Sequence, residues 1–253
     1  MNLKIVAIIE ARMGSNRLPG KVLKKINNKP ILEILIERLK LSENIDNIVI
    51  ATTKKKLDDK IIHFCKKKSL DYYRGSENNV LDRVTKASIK FKASHILQIT
   101  GDNPLVDYKV VDYMISYYFK NKFDYVTNNG FGDIKKRKIP IGMDVQFFSA
   151  EKLKLINNLK LNKIYREHPS LYFYKNQNKK FKIKNVPIPK KWIPKKNIRL
   201  TIDTKEDYHL IAEIMKKFKY KTYFSLEEII ITFSKEKYLS RINNGITQKI
   251  IDL

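Results

Sequence analysis

Two kinds of apolar run alternate along this chain. Short ones are rich in Ile and Val, and longer ones repeat their apolar residues every three or four positions. The segments 4–11 (KIVAIIEA), 46–53, 71–75 and 94–100 read as strands. The first is nearly continuous in Ile, Val and Ala, as a strand covered on both faces should be. Between them, 29–40 places Ile31, Leu32, Leu35, Ile36 and Leu39 on one helical face. Segments 57–68, 79–91 and 108–120 also read as helices, with Asn78 or Asn79 as the N-cap of the second of these.

Beyond residue 120 the pattern loosens. Segment 123–128 reads as a strand, 129–142 as a basic, glycine-containing loop, and 143–149 as a strand with a helix following from about 150. Segment 163–176 looks helical in its first part, 180–189 is a strand running into a Pro- and Lys-rich loop, and 198–204 is a strand ending on an acid. Segment 205–218 is a clear amphipathic helix, and 225–235 opens with Ser225 and Glu228 at capping-box spacing. Alternating strands and helices predict an α/β fold with a largely parallel sheet and helices on both faces. With no internal repeat and no linker, 1–220 is expected to form one domain, and 221–253 a C-terminal helix and tail packed on it.

Composition narrows the class. The 43% hydrophobic content over 253 residues supplies a real core and argues against global disorder. The 52 Lys+Arg against 26 Asp+Glu give a net charge of +26, which raises a polyanion as partner. The lysines are scattered in small groups, however, and a solvated surface in a Lys-, Asn- and Ile-rich chain accounts for them as well. A single cysteine, Cys65, excludes an internal disulfide, and with four scattered His it cannot build a zinc site. No stretch has the length of a membrane span, and the N-terminus lacks a signal-peptide pattern, so no membrane insertion and a cytoplasmic location are expected.

Ligands of open parallel sheets bind outside the carboxyl ends of the strands. Arg12, Gly14, Ser15, Arg17 and Lys21 follow the first strand; Thr52 and Thr53 close the second. Arg74, Gly75 and Ser76 end the third, Gly101 and Asp102 follow the fourth, and Asp203 ends 198–204. The first loop is neither a Walker A motif nor G-x-G-x-x-G, because Gly14 and Gly20 have the wrong spacing. Its physics is related: small residues let backbone N–H groups approach an anion, and Arg and Lys supply charge. A polyphosphate fits best. Either Asp alone reads as a turn or cap residue. Beside a polyphosphate loop, the two suggest Mg²⁺ held by carboxylates and phosphate oxygens.

The ordered motifs AIIEARMGSNRLPGKVL, RGSENNVLDR, QITGDNPLVD, GMDVQFFS, REH and LTIDTKEDYHLI resemble the spore-coat polysaccharide cytidylyltransferase-like proteins. That group is similar to the acylneuraminate and 3-deoxy-manno-octulosonate cytidylyltransferases. The resemblance covers roughly 3–217. It implies a Rossmann-like, nucleotide-diphospho-sugar transferase (GT-A-like) fold and a Mg²⁺-dependent transfer of CMP from CTP to a small sugar-like acceptor. It implies that Arg12, Gly14, Ser15, Arg17 and Lys21 grip the triphosphate, with Arg12, Lys21 and Asp102 catalytic, and that Arg74 and Ser76 lie near the base. Asp102 and Asp203 would hold the metal, Asp144, Arg166, Glu167 and His168 would face the acceptor, and a homodimer is possible. The chain departs from the pattern at Glu10, where Gln is usual, at Asn103, where Cys is common, and at Gln146, where an acid is usual.

Two other classes stay open on the residues alone. A glycosyltransferase could share the sheet, although its usual D-x-D is absent from GDNP. A nucleic-acid-binding module rests only on the net charge, and no specific nucleic acid is expected. His63, His95 and His209 read as structural or surface residues, and Trp192 as an anchor for its basic loop.

Overall fold

The computed structural model describes residues 3–176 and 179–248. Its first strand, β1 (Ile5–Glu10), is the buried run IVAIIE. A small antiparallel hairpin, β2 (Lys25–Ile26) and β3 (Lys29–Pro30), leads into helix α1 (Ile31–Leu39). There follow β4 (Asn47–Thr53), α2 (Asp59–Lys67), β5 (Asp71–Gly75), α3 (Val80–Lys90), β6 (His95–Thr100) and α4 (Tyr108–Asn121). The second half adds β7 (Tyr125–Thr127), β8 (Gln146–Ser149), α5 (Ala150–Asn157), α6 (Lys163–Glu167), α7 (Pro169–Lys175) and β9 (Ile183–Asn185). Helices α8 (Lys205–Lys217), α9 (Leu226–Lys235) and α10 (Leu239–Ile242) end the described chain.

Seven strands form one mixed sheet in the order β5-β4-β1-β6-β8-β7-β9. β5, β4, β1 and β6 are mutually parallel, β8 runs antiparallel between β6 and β7, and β9 is parallel to β7. Alternate side chains of β1 divide the core. Ala7 and Ile9 pack with α1, α2, α4 and α8 on one face, and Val6 and Ile8 pack with α3, α5 and α7 on the other. Leu226 and Ile229 of α9 and Leu239 of α10 are buried in the first of these clusters. The α/β architecture with helices on both faces is therefore the one the pattern predicted.

Several local expectations change. Segment 198–204 is buried but joins no sheet; it makes one parallel bridge, Arg199 to Ile141. Its N–H groups turn elsewhere: Leu200 donates to the Ile141 carbonyl at 2.7 Å and Ile202 to the Asp102 carbonyl at 2.9 Å. Segment 163–176 is helical in both parts, broken at His168 because Pro169 opens a second helix at its first turn. The 180–189 strand shrinks to Ile183–Asn185, with Pro187 and Pro189 beyond it. The hairpin β2–β3 has no counterpart in the apolar pattern. Its turn residues Asn27 and Asn28 both have positive φ, 46° and 64°, which Asn tolerates. Asn79 is the N-cap of α3, accepting the Asp82 N–H, and Ser225 and Glu228 complete their capping box.

Candidate active site

The loop after β1 is fixed by a few backbone contacts. The Met13 carbonyl accepts the N–H groups of Ser15 and Gly20, each at 3.0 Å, which folds 13–20 back on itself. Ser15 Oγ accepts the Leu18 N–H at 3.3 Å. Gly20 has φ of 68°, a left-handed conformation that costs a residue with a Cβ, and Lys21 follows at once in a 3₁₀ turn. The buried Asp58 anchors the loop from below: its carboxylate accepts the Met13 N–H at 2.7 Å and the Thr53 hydroxyl. Local sequence carries no sign of this, since an acid at a helix start reads only as a cap.

Lys21 then reaches the sheet rim. Its Nζ donates to Asp102 Oδ2 at 2.6 Å, to Asp203 Oδ1 at 2.8 Å and to the Ile202 carbonyl at 2.8 Å. Asp102 stands just past β6, where its other oxygen accepts the Thr100 hydroxyl at 2.7 Å, and Asn103 in turn donates to Thr100 Oγ1 at 3.0 Å. Asp203 Oδ2 meets Arg17 at 3.1 Å and Arg199 at 2.7 Å. Residues separated by as many as 186 positions thus converge on one rim, with Asp102 at the end of β6 as the strand-end argument expected and Asp203 arriving from a segment outside the sheet. Burial disfavours the Lys21 ammonium, but Asp102 and Asp203 outweigh it and hold its pKa above the ordinary value. Burial likewise pushes the Asp203 carboxyl up, and Lys21, Arg17 and Arg199 outweigh that and hold it below its ordinary value.

Arg12 lies beside this cluster, half exposed, with its guanidinium 3.5 Å from Glu77. Glu77 also pairs with Lys55 at 2.5 Å and lies near Gly14. Arg12 and Arg17 are thus exposed cations on either side of a loop with little side-chain cover. Arg74 is committed to scaffold: it donates to the Thr53 and Lys55 carbonyls, each at 3.0 Å, and pairs with Asp59 at 2.7 Å. Ser76 Oγ accepts the Asn79 N–H at 3.1 Å, at the entrance to α3. Between them, Gly75 leaves room for Arg83; a Cβ there would lie 2.7 Å from the Arg83 Cγ. Buried Arg83 donates to the Ser76 and Glu77 carbonyls and so sets the path of this segment.

On the antiparallel side, Gln146 of β8 pairs in register with Gln98 near the carboxyl end of β6, which brings Asp144 to the same rim as Asp102. The Asp144 carboxylate is clasped by both terminal nitrogens of Arg137, from the basic loop. Arg166 donates to Asn157 and to the Leu159 carbonyl, tying α6 to the end of α5. Glu167 is half-buried at the end of α6, and His168 forms the joint between α6 and α7.

Among the described residues no group of three or more His, Cys, Asp or Glu is placed to hold a metal, and the two acids Asp102 and Asp203 meet at Lys21. Both turn an oxygen to one cation, the Lys21 ammonium. Hard oxygen donors converging on one positive centre fit a hard divalent cation held by one or two carboxylates with phosphates and water.

A family model described as cytidylyltransferase matches residues 6–237. The chain belongs to the cytidylyltransferase family. It is 36% identical over 238 residues to the spore coat polysaccharide biosynthesis protein SpsF of Bacillus subtilis, a match covering 91% of this chain and 94% of that one. A solved cytidylyltransferase from Leptospira borgpetersenii superposes with a TM-score of 0.86 at 32% identity, over 99% of this chain and 100% of the other. A CMP:2-keto-3-deoxy-manno-octonic acid synthetase complexed with CTP superposes with a TM-score of 0.63 at 17% identity, over 85% of this chain and 99% of that one. The fold is that of the nucleotide-diphospho-sugar transferases. Among the described residues, no helix of this cytidylyltransferase-family chain is long and apolar enough to cross a membrane.

Proposed function

We propose that this chain transfers CMP from CTP to a sugar acid or a related sugar-like acceptor, releasing pyrophosphate, in the biosynthesis of a surface polysaccharide. The observation that carries this reading is the meeting of Lys21, Arg17, Asp102 and Asp203 at the carboxyl end of the sheet. Family membership supplies the nucleotide, and the name of the B. subtilis relative supplies the polysaccharide. The acceptor class follows the synthetase that shares the fold.

In this reading the acceptor oxygen forms a bond to the α-phosphorus of CTP, and the bond to the bridging oxygen of pyrophosphate breaks. Such chemistry needs positioning and charge neutralisation more than covalent help from the protein. Arg12, Arg17 and Lys21 bind the β- and γ-phosphates and stabilise the departing pyrophosphate. Gly14 and Ser15 let backbone amides approach it. Asp102 and Asp203 would hold a divalent cation, Mg²⁺ in this reading, which when bound neutralises phosphate charge. Gly75, Ser76 and Glu77 border the base, with Arg74 and Arg83 fixing their path. Asp144, Arg166, Glu167 and His168 form the acceptor side. The reading also places the chain in the cytoplasm, where nucleoside triphosphates are available, as a homodimer.

Pyrophosphate release measured with each nucleoside triphosphate, Mg²⁺ and a panel of sugar acids and sugar phosphates tests this. Release with CTP and one acceptor class supports it. Release with none, or with another triphosphate alone, refutes it. Light scattering on the purified protein decides the dimer.

A further inference from the structure

Asp203 is held from two directions. Its backbone N–H donates to Asp207 Oδ2 at 3.0 Å, and the same oxygen accepts the Thr204 N–H at 3.1 Å, as part of the capping box that starts α8. Its carboxylate is held by Arg199, whose Nη2 lies 2.7 Å from Asp203 Oδ2. Arg199 is itself fixed: its Nε donates to Asp207 Oδ1 at 2.9 Å and a terminal nitrogen meets Gln248. Asn243, at the end of α10, donates to Asp207 Oδ1 at 2.8 Å and to the Arg199 carbonyl at 3.2 Å. Arg199, Asp207 and Asn243 are 7%, 0% and 7% exposed, so this network is closed to solvent.

We infer that Arg199, locked by Asn243 of the C-terminal segment, is a positioning residue that turns Asp203 Oδ1 toward the cation position shared with Asp102. The claim rests on the functional reading above. A lone aspartate side chain has rotamer freedom, and an acid that must meet a cation together with a second acid loses affinity when that freedom returns. The planar guanidinium suits the task because it engages Asp203 and Asp207 at once in fixed directions, which a lysine ammonium cannot do. Asn243 matters because it is the link by which a segment about 40 residues downstream in sequence completes the site.

The test uses two substitutions that keep the charge unchanged. Arg199→Lys keeps the cation and loses the fork; Asn243→Ala keeps Arg199 and loses its lock. Mn²⁺ binding is titrated by electron paramagnetic resonance on the full chain, with and without CTP, and Mn²⁺ dependence of pyrophosphate release is measured alongside. The expected result is a weakening of Mn²⁺ binding of about tenfold for Arg199→Lys, and a smaller one in the same direction for Asn243→Ala. KM for the acceptor stays put, and kcat recovers at saturating Mn²⁺. A purely structural role predicts less folded protein with unchanged Mn²⁺ affinity, and that result overturns the inference. If Arg199→Lys does not fold, Asn243→Ala decides alone. If the wild type turns over no nucleoside triphosphate, the functional reading falls, and the Mn²⁺ titration of nucleotide-free protein still decides the positioning claim.

Discussion

The Lys21 ammonium sits 2.6 Å from Asp102, and the same nitrogen spans to Asp203. The lysine proposed to bind the triphosphate thus pairs with both acids proposed to hold the metal. Under the proposed function, lysine and divalent cation would compete for the same carboxylate oxygens. Lys21→Met should therefore have two opposite effects. Turnover should fall by roughly 10²–10³-fold, the usual loss for a group that stabilises developing charge. Mn²⁺ binding to nucleotide-free protein should tighten, because two carboxylates are left facing each other. Turnover assays and Mn²⁺ titration check both; unchanged binding would show that lysine and metal do not share the position.

Asp203 gives the fold an acid-sensitive contact. Burial raises its carboxyl, but Lys21, Arg17 and Arg199 outweigh burial and hold it below its ordinary 3.8. A carboxyl depressed in the folded state stabilises the fold above its unfolded pKa, and that contribution is lost as pH falls through the folded pKa. The stability difference between wild type and Asp203→Asn should be constant at neutral pH and change only below about 3.8. Urea denaturation at a series of pH values measures it. A difference that changes around neutrality would mean another group governs the cluster.

The sequence made the sheet and its ligand rim legible because β1, β4 and β6 are continuous apolar runs that end on chemistry-bearing residues. Lys21 and Asp102 are legible because they follow β1 and β6, and Asp203 because it follows a strand-like run that the fold leaves outside the sheet. What stayed hidden depends on contacts made across the fold. Asp58 props up the loop at Met13 from a helix start 45 positions away. Arg199 lies in a segment whose alternation reads as a strand, yet its backbone bonds go to loops, and its side chain serves Asp203 and Asp207. Local pattern carries no trace of either partnership.

Arg74 is expected to act through the scaffold. Its guanidinium ties the end of β4 to the start of α2, through the Thr53 and Lys55 carbonyls and Asp59. Arg74→Met should destabilise the fold by about 1–3 kcal/mol, as for lost charged hydrogen bonds to partly buried groups. Under the proposed function, the ratio of turnover with CTP to turnover with UTP should stay the same. Thermal or urea unfolding gives the first quantity, and competition between the two nucleotides gives the second. A changed preference with unchanged stability would place Arg74 directly on the base.

Glu10 should show the opposite pH behaviour to Asp203. It ends β1 in a half-buried position, accepts a hydrogen bond from Gln98 and lies 3.6 Å from Arg83. Burial raises its carboxyl above the ordinary 4.5, and Arg83 and Gln98 offset only part of that. A raised carboxyl binds its proton more tightly in the folded state, so stability is lost as pH rises from the unfolded to the folded pKa. Glu10→Gln keeps the shape and the backbone bond from Gly101 to the residue 10 carbonyl, and it removes the titration. Stability of the variant relative to wild type should therefore rise with pH from about 4.5 and then level off. Chemical denaturation across that range measures the difference. If the two profiles run parallel, Arg83 and Gln98 compensate the buried charge fully.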